Sequence, residues 1–137
     1  MAIVNPGIEI ANVLENAGLG LELESNLFVS IVRPHSQVVP RTSVFVLPRN
    51  GVISDRVYEC SYELQYPRVQ IRIRSDRYAT GYELARRIYQ ALQSQDVADF
   101  LDCRSQESEP VFLELDDADL YHWALNFEIM RQEGSTI

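Results

Sequence analysis

Val69-Gln70-Ile71-Arg72-Ile73-Arg74-Ser75 alternates apolar and polar without an error, and only an extended chain gives such a row two distinct faces. Val69, Ile71 and Ile73 share one face of a predicted strand, and Gln70, Arg72 and Arg74 take the other. Shortly after it, Thr80 and Glu83 have capping-box spacing, in which a hydroxyl and a carboxylate satisfy free amides at a helix start. The pattern predicts a helix to about Gln93, with Leu84, Ala85, Ile88, Ala91 and Leu92 on one face. Glu83, Arg86, Arg87 and Gln90 fall on the other. A two-faced strand leading into a two-faced helix buries both apolar faces only as a small layer of sheet and helix.

The remaining segments fit that plan. Asn5 before Pro6 is a helix start, with cap then first-turn proline. Ile8, Ala11 and Leu14 follow at helical spacing, and Gly18 is placed to end the helix. Leu27 to Arg33 reads as a strand that stops at Pro34, with His35 to Pro40 as a connector. Ser43 to Leu47 is a second strand, apolar on both faces, and Pro48-Arg49-Asn50-Gly51 a strong turn signal. Tyr58, Cys60, Tyr62 and Leu64 alternate with Glu59, Ser61 and Glu63, which predicts an extended segment at a sheet edge.

After the main helix, Gln93 to Phe100 turns the chain and Phe100 to Cys103 is a short strand. Glu107 to Pro110 is loop, Val111 to Leu115 a strand, and Asp116-Asp117-Ala118-Asp119 a tight acidic turn. Tyr121 to Met130 returns as a strand with Tyr121, Trp123, Leu125, Phe127 and Ile129 on its core face, and Arg131 to Ile137 is a mobile tail. The expected fold is α+β: a single mostly antiparallel sheet of four to six strands packed against two helices, one domain over residues 1–137.

Composition narrows the function. No apolar run is long enough to cross a bilayer, and Met1 to Pro6 lacks the basic-then-apolar order of a secretory signal, so an intracellular site of synthesis and no membrane partner are expected. A net charge of −8 argues against sequence-specific or general nucleic-acid binding, which needs clustered cations. All 12 basic residues are arginine; a lysine-poor genome accounts for this, although arginine's planar fork also suits protein interfaces. Cys60 and Cys103 are single and far apart, which fits buried thiols better than a disulfide or a metal motif.

A search for catalytic groups finds none. Asp116, Asp117 and Asp119 can gather a hard cation, but the glycine and distal glutamate of a calcium loop are missing, and a solvated turn is the simpler reading. His35 in a connector and His122 on an outward strand face read as isolated surface residues. Gly18-Leu19-Gly20 follows a helix instead of joining a strand to one, so it is not a phosphate loop. No serine lies in a nucleophile elbow, and Glu22 and Glu24 read as a charged edge. No catalytic residue, cofactor or metal is expected, and the chain is read as a protein that acts through its surfaces.

A family resemblance gives those surfaces a role. Pro67 to Ser75, then Tyr78 and Gly81-Tyr82-Glu83-Leu84-Ala85, then Ile88-Tyr89 and Ala91-Leu92, resemble the small bacteriophage tail terminator or "minor capsid" proteins. Pro110 to Leu113, the acidic turn, and Leu125-Asn126-Phe127-Glu128-Ile129 resemble the end of the same family, as does the order of elements. The resemblance implies a virion subunit, made in the bacterial host cytoplasm and placed at the head–tail junction. It implies a homo-oligomeric ring, a hexamer, that caps the tail tube, stops its polymerisation and meets a head-completion or neck protein.

In such a ring each subunit meets the next through two different patches. Gln70, Arg72 and Arg74, together with Glu83, Arg86, Arg87 and Gln90, are candidates for one patch; Asp116, Asp117 and Asp119 can complement it on a neighbour. Arg72→Glu with Arg74→Glu is then expected to block assembly and leave the fold intact. The acidic surplus also suits a channel wall past which DNA slides. A neck, head-completion or minor capsid protein is the nearest alternative, and a small α+β ligand-binding or regulatory domain the one from a different class.

Overall fold

Val69, Ile71 and Ile73 are fully buried, as their alternation requires. The computed structural model describes residues 5–29, 40–56, 62–93 and 100–134. In chain order these form α1 (Pro6–Glu15), β1 (Leu27–Val29), β2 (Ser43–Arg56), β3 (Tyr62–Ser75), α2 (Tyr78–Leu92), β4 (Asp102–Ser105), β5 (Val111–Leu115) and β6 (Tyr121–Gly134). The six strands make one sheet in the order β1-β2-β3-β6-β4, with β5 also paired to β6. Only β1 and β2 run parallel among these pairs, so the fold is the expected α+β with a mostly antiparallel sheet.

Both helices cover the same face. Val44 and Val46 of β2, Val69, Ile71 and Ile73 of β3, and Trp123, Leu125, Phe127 and Ile129 of β6 form one buried cluster with residues of both helices. From α1 come Ile10, Ala11 and Leu14; from α2 come Ala85, Ile88 and Leu92. The Asn5 side chain accepts from the Gly7 and Ile8 amides at 2.9 and 3.4 Å, capping α1 as the sequence predicts. Ala11 and Leu14 face the core as expected, but Ile8 is 48% exposed, and Gly7 and Ile10 face inward instead. A Cβ on Gly7 would stand 3.4 Å from Val29 Cγ1, so the missing side chain lets the helix end lie close to β1.

Other expectations are corrected. The Thr80–Glu83 capping box does not form: α2 begins at Tyr78 with Arg77 as its cap residue and no side-chain cap. Ser75 Oγ accepts from the Arg77 amide at 3.2 Å, and Tyr78 joins an aromatic cluster, its ring 4.9 Å from that of Trp123, which draws the helix start forward. Pro48 to Gly51 is not a turn but part of β2, whose pairing with β3 shifts register between Arg49 and Val52. At Gly51 a Cβ would meet the Tyr66 carbonyl oxygen at 2.8 Å, so a glycine serves a close backbone approach in an irregular strand. Among the described residues β1 pairs with β2 only as far as Val46, so Pro48 breaks no ladder with β1.

Tyr62 and Leu64 lie within β3, an interior strand between β2 and β6 rather than an edge. The short strand expected at 100–103 lies at 102–105. The tail expected from Arg131 is still strand as far as Gly134, with Arg131 opposite Gln65 and its Nε donating to the Gln65 Oε1 at 2.7 Å. His35, Cys60 and the strand expected beyond Val29 lie outside the described residues, as do 94–99 and 135–137.

Candidate functional site

With both helices on one side, the second face of the sheet carries the row Gln70, Arg72 and Arg74. Register places Leu47 and Asn126 beside Gln70, Phe45 and Ala124 beside Arg72, and Ser43 and His122 beside Arg74. Much of this row is engaged within the chain. Asn126 Oδ1 accepts from Gln70 Nε2 at 3.1 Å and from Arg49 Nη1 at 2.6 Å, while its Nδ2 donates to Glu107 at 2.9 Å. Arg68 pairs with Glu128 at 3.2 Å.

Arg74 donates to the Pro40 carbonyl oxygen at 2.6 Å, and its guanidinium lies 5.8 Å from the centre of the Phe45 ring. Burial lowers its pKa, Asp116 opposes that shift, and Arg41 adds to it. It stays charged at neutral pH all the same. Arg72 Nε is buried with no hydrogen-bond partner among the described residues. Beside this row, Phe28 and Phe45 stack at 5.5 Å.

The helix residues occupy another place. Ala85, Ile88 and Leu92 of α2 face the core, so Glu83, Arg86, Arg87 and Gln90 look away from the sheet. They are therefore on the opposite side of the molecule from Gln70, Arg72 and Arg74, and the two sets do not make one patch. Arg87 and Glu83 pair at 2.8 Å. Arg86 lies 5.0 Å from the Tyr89 ring centre and donates to the Ser108 carbonyl oxygen at 3.2 Å.

The acidic turn joins β5 to β6. Asp116 Oδ1 accepts from the Ala118 and Leu120 amides at 2.9 and 3.0 Å, and Oδ2 lies 2.6 Å from His122 Nε2. Asp116 is thus committed to its own hairpin, and His122 is not the isolated surface residue expected. They stand six positions apart on the two sides of the β5–β6 turn, a closeness that only the hairpin's pairing creates. Asp119 takes a φ of 62°, a turn conformation that Asp tolerates. Asp117 and Asp119 are exposed. Among the described residues no group of three or more His, Cys, Asp or Glu side chains is placed to hold a metal.

Sequence reasoning also missed an apolar edge. All five residues of β5 are exposed, and beside it the rings of Tyr78 and Phe112 stand 5.7 Å apart. The signal was present: Val111-Phe112-Leu113-Glu114-Leu115 has no alternation and four apolar residues of five.

A family model described as bacteriophage tail terminator protein matches residues 14–133. No curated protein matches the sequence. Among solved structures, a chain from "Virion of native gene transfer agent (GTA) particle" is similar in fold, with a TM-score of 0.53 and 18% identity. The match covers 90% of this chain and 84% of that one.

Proposed function

The chain belongs to the bacteriophage tail terminator proteins, and on that footing we propose that it is a structural virion subunit that closes into a ring on the end of the tail tube. The ring stops tube growth and offers its far side to the neck of the head. The role is mechanical, not enzymatic. Its partners are further copies of itself, the tube protein and a head-completion or neck protein, and its place is the head–tail junction.

One observation carries the ring reading: surfaces of opposite sign stand on different parts of the molecule. Arg72, half-buried and with its buried Nε unpartnered among the described residues, lies on the sheet face away from both helices, whereas Asp117 and Asp119 are exposed on the β5–β6 turn. A head-to-tail ring needs two unlike patches of this kind. The acidic turn of one subunit meets the arginine row of the next, and the outer face of α2 is left for tube or neck. The net charge of −8 suits a ring through which DNA passes without sticking.

The test is solution mass by light scattering, with negative-stain images of the same peak, alone and after mixing with tail tubes. Open rings of about six subunits, free or seated on tube ends, are expected. A chain that stays monomeric and leaves tube ends bare removes the reading.

A further inference from the structure

Strand β5 is the edge of the sheet beyond β6, and among the described residues no strand pairs with its outer side. Proteins usually blunt such edges with lysine, proline or a bulge, because unpaired N–H and C=O groups recruit another strand. Here the register shift between Phe112 and Glu114 is the one such device, and the strand holds no lysine or proline. Phe112, Leu113 and Leu115 are 43, 39 and 52% exposed, and Tyr78, 52% exposed, extends the apolar surface onto the start of α2.

Carboxylates dominate the charge around this edge, flanked by Arg86, 3.9 Å from Glu109, and Arg41, 3.5 Å from the Ala118 carbonyl oxygen. Residues 105–121 contain six carboxylates and no arginine or lysine. Glu107, Glu109 and Asp116 are engaged by Asn126, Tyr82 and His122. Glu114, Asp117 and Asp119 have no ion pair among the described residues. We propose that β5 accepts, by strand addition, an extended segment of a different protein in which apolar residues alternate with arginine or lysine. The apolar side chains of that segment cover Phe112 and Leu115, and a cation of it meets Glu114. A second copy of β5 fits badly, since it would set carboxylates against carboxylates. Among the described residues the edge at β1 offers only three.

The proposal does not depend on ring formation and is tested apart from it. The full chain is mixed with synthetic peptides of about ten residues, a typical strand length at most, one alternating valine with lysine and one valine with glutamate. Binding and backbone hydrogen exchange are then measured. The valine–lysine peptide is expected to bind and to slow exchange at residues 111–115. Glu114→Lys should weaken it at least about twofold. Leu115→Ser, at an exposed position, should weaken it without loss of the fold.

Equal binding of both peptides, binding of neither, or protection elsewhere overturns the proposal. So does protection of 111–115 that rises with chain concentration in the absence of peptide, which would assign the edge to a second copy.

Discussion

The ring of His122 and the carboxylate of Asp116 meet at 2.6 Å, Nε2 to Oδ2, at the base of the hairpin between β5 and β6. The same carboxylate holds the Ala118 and Leu120 amides, so one side chain fixes both the turn and the strand that returns from it.

This contact makes the hairpin sensitive to acid. The His122 hydrogen bond, helped by the backbone amides of Leu120 and Ala118, holds the Asp116 carboxyl below the usual carboxylate range. An unfolded Asp titrates near about 3.9. The lowered folded value therefore gives stability that is complete above that pH and lost as pH falls through the folded pKa. In calorimetry from about pH 5 to about pH 3, the Tm advantage of the parent over Asp116→Asn should shrink. Parallel pH curves for the two proteins would contradict this.

Two isoleucines on α1 test its phase. Ile10 is fully buried and Ile8 is half exposed, although Ile8 looks the better core residue in the sequence. Ile10→Ala should cost about 2–5 kcal/mol in urea unfolding. Ile8→Ala should stay within about 0.5 kcal/mol of the parent. Equal costs would return Ile8 to the core.

Gly81→Ala should destabilise, against its helix propensity. Alanine in a helix interior usually gains about 0.5–1 kcal/mol over glycine. Here a Cβ would stand 2.9 Å from Trp123 Cδ1 and Nε1 and 3.2 Å from Ser75 Cβ. Displacing the indole should cost about 1–3 kcal/mol and outweigh the gain. Trp123 is the single tryptophan, so its emission should shift as Tm falls. A higher Tm would mean that the ring yields without strain.

Charge exchange tests the proposed contact between subunits. Arg72→Glu and Asp117→Arg should each abolish rings, and the double variant should restore them in part, because opposite charges would again face each other across the contact. Circular dichroism checks that each variant is folded. Rings from both single variants would remove these residues from the interface. Arg74→Glu is a poor probe, contrary to the expectation from sequence, because a carboxylate there would face the Pro40 carbonyl oxygen and Asp116.

Cys103 should be inert in the folded chain. It is buried, and burial, with Asp102 adding to it, pushes its pKa up to about 12. Only about one molecule in ten thousand would carry the thiolate at about pH 8. Peptide mapping after iodoacetamide should find Cys103 unmodified until denaturant is added. Labelling at the rate of a free thiol would show that the site opens.

What the sequence reveals depends on how local the cause is. Val69, Ile71 and Ile73 announce a buried strand face because the period of two acts between neighbours, and Asn5-Pro6 announces a helix because capping is local. Pro48 to Gly51 misleads because turn chemistry and a strand irregularity use the same residues. What decides between them is the Tyr66 carbonyl at Gly51, fifteen positions away. Thr80 and Glu83 mislead because an aromatic cluster, assembled from Tyr78, Phe112, Tyr121 and Trp123, sets where the helix begins. The candidate interface divides in two because the side of the sheet on which a helix lands is a tertiary choice that no helical wheel records.

Strand β6 comes last among the described elements, yet it is an interior strand, and among those residues β4 and β5 have no other partner. A nascent chain that has not released residues 121–134 from the ribosome therefore lacks the strand that joins its sheet, and Val69, Ile71 and Ile73 lack the residues they pack against. Residues 121–134 must have emerged before the sheet can close. A product truncated before β6 would offer proteases an open apolar face.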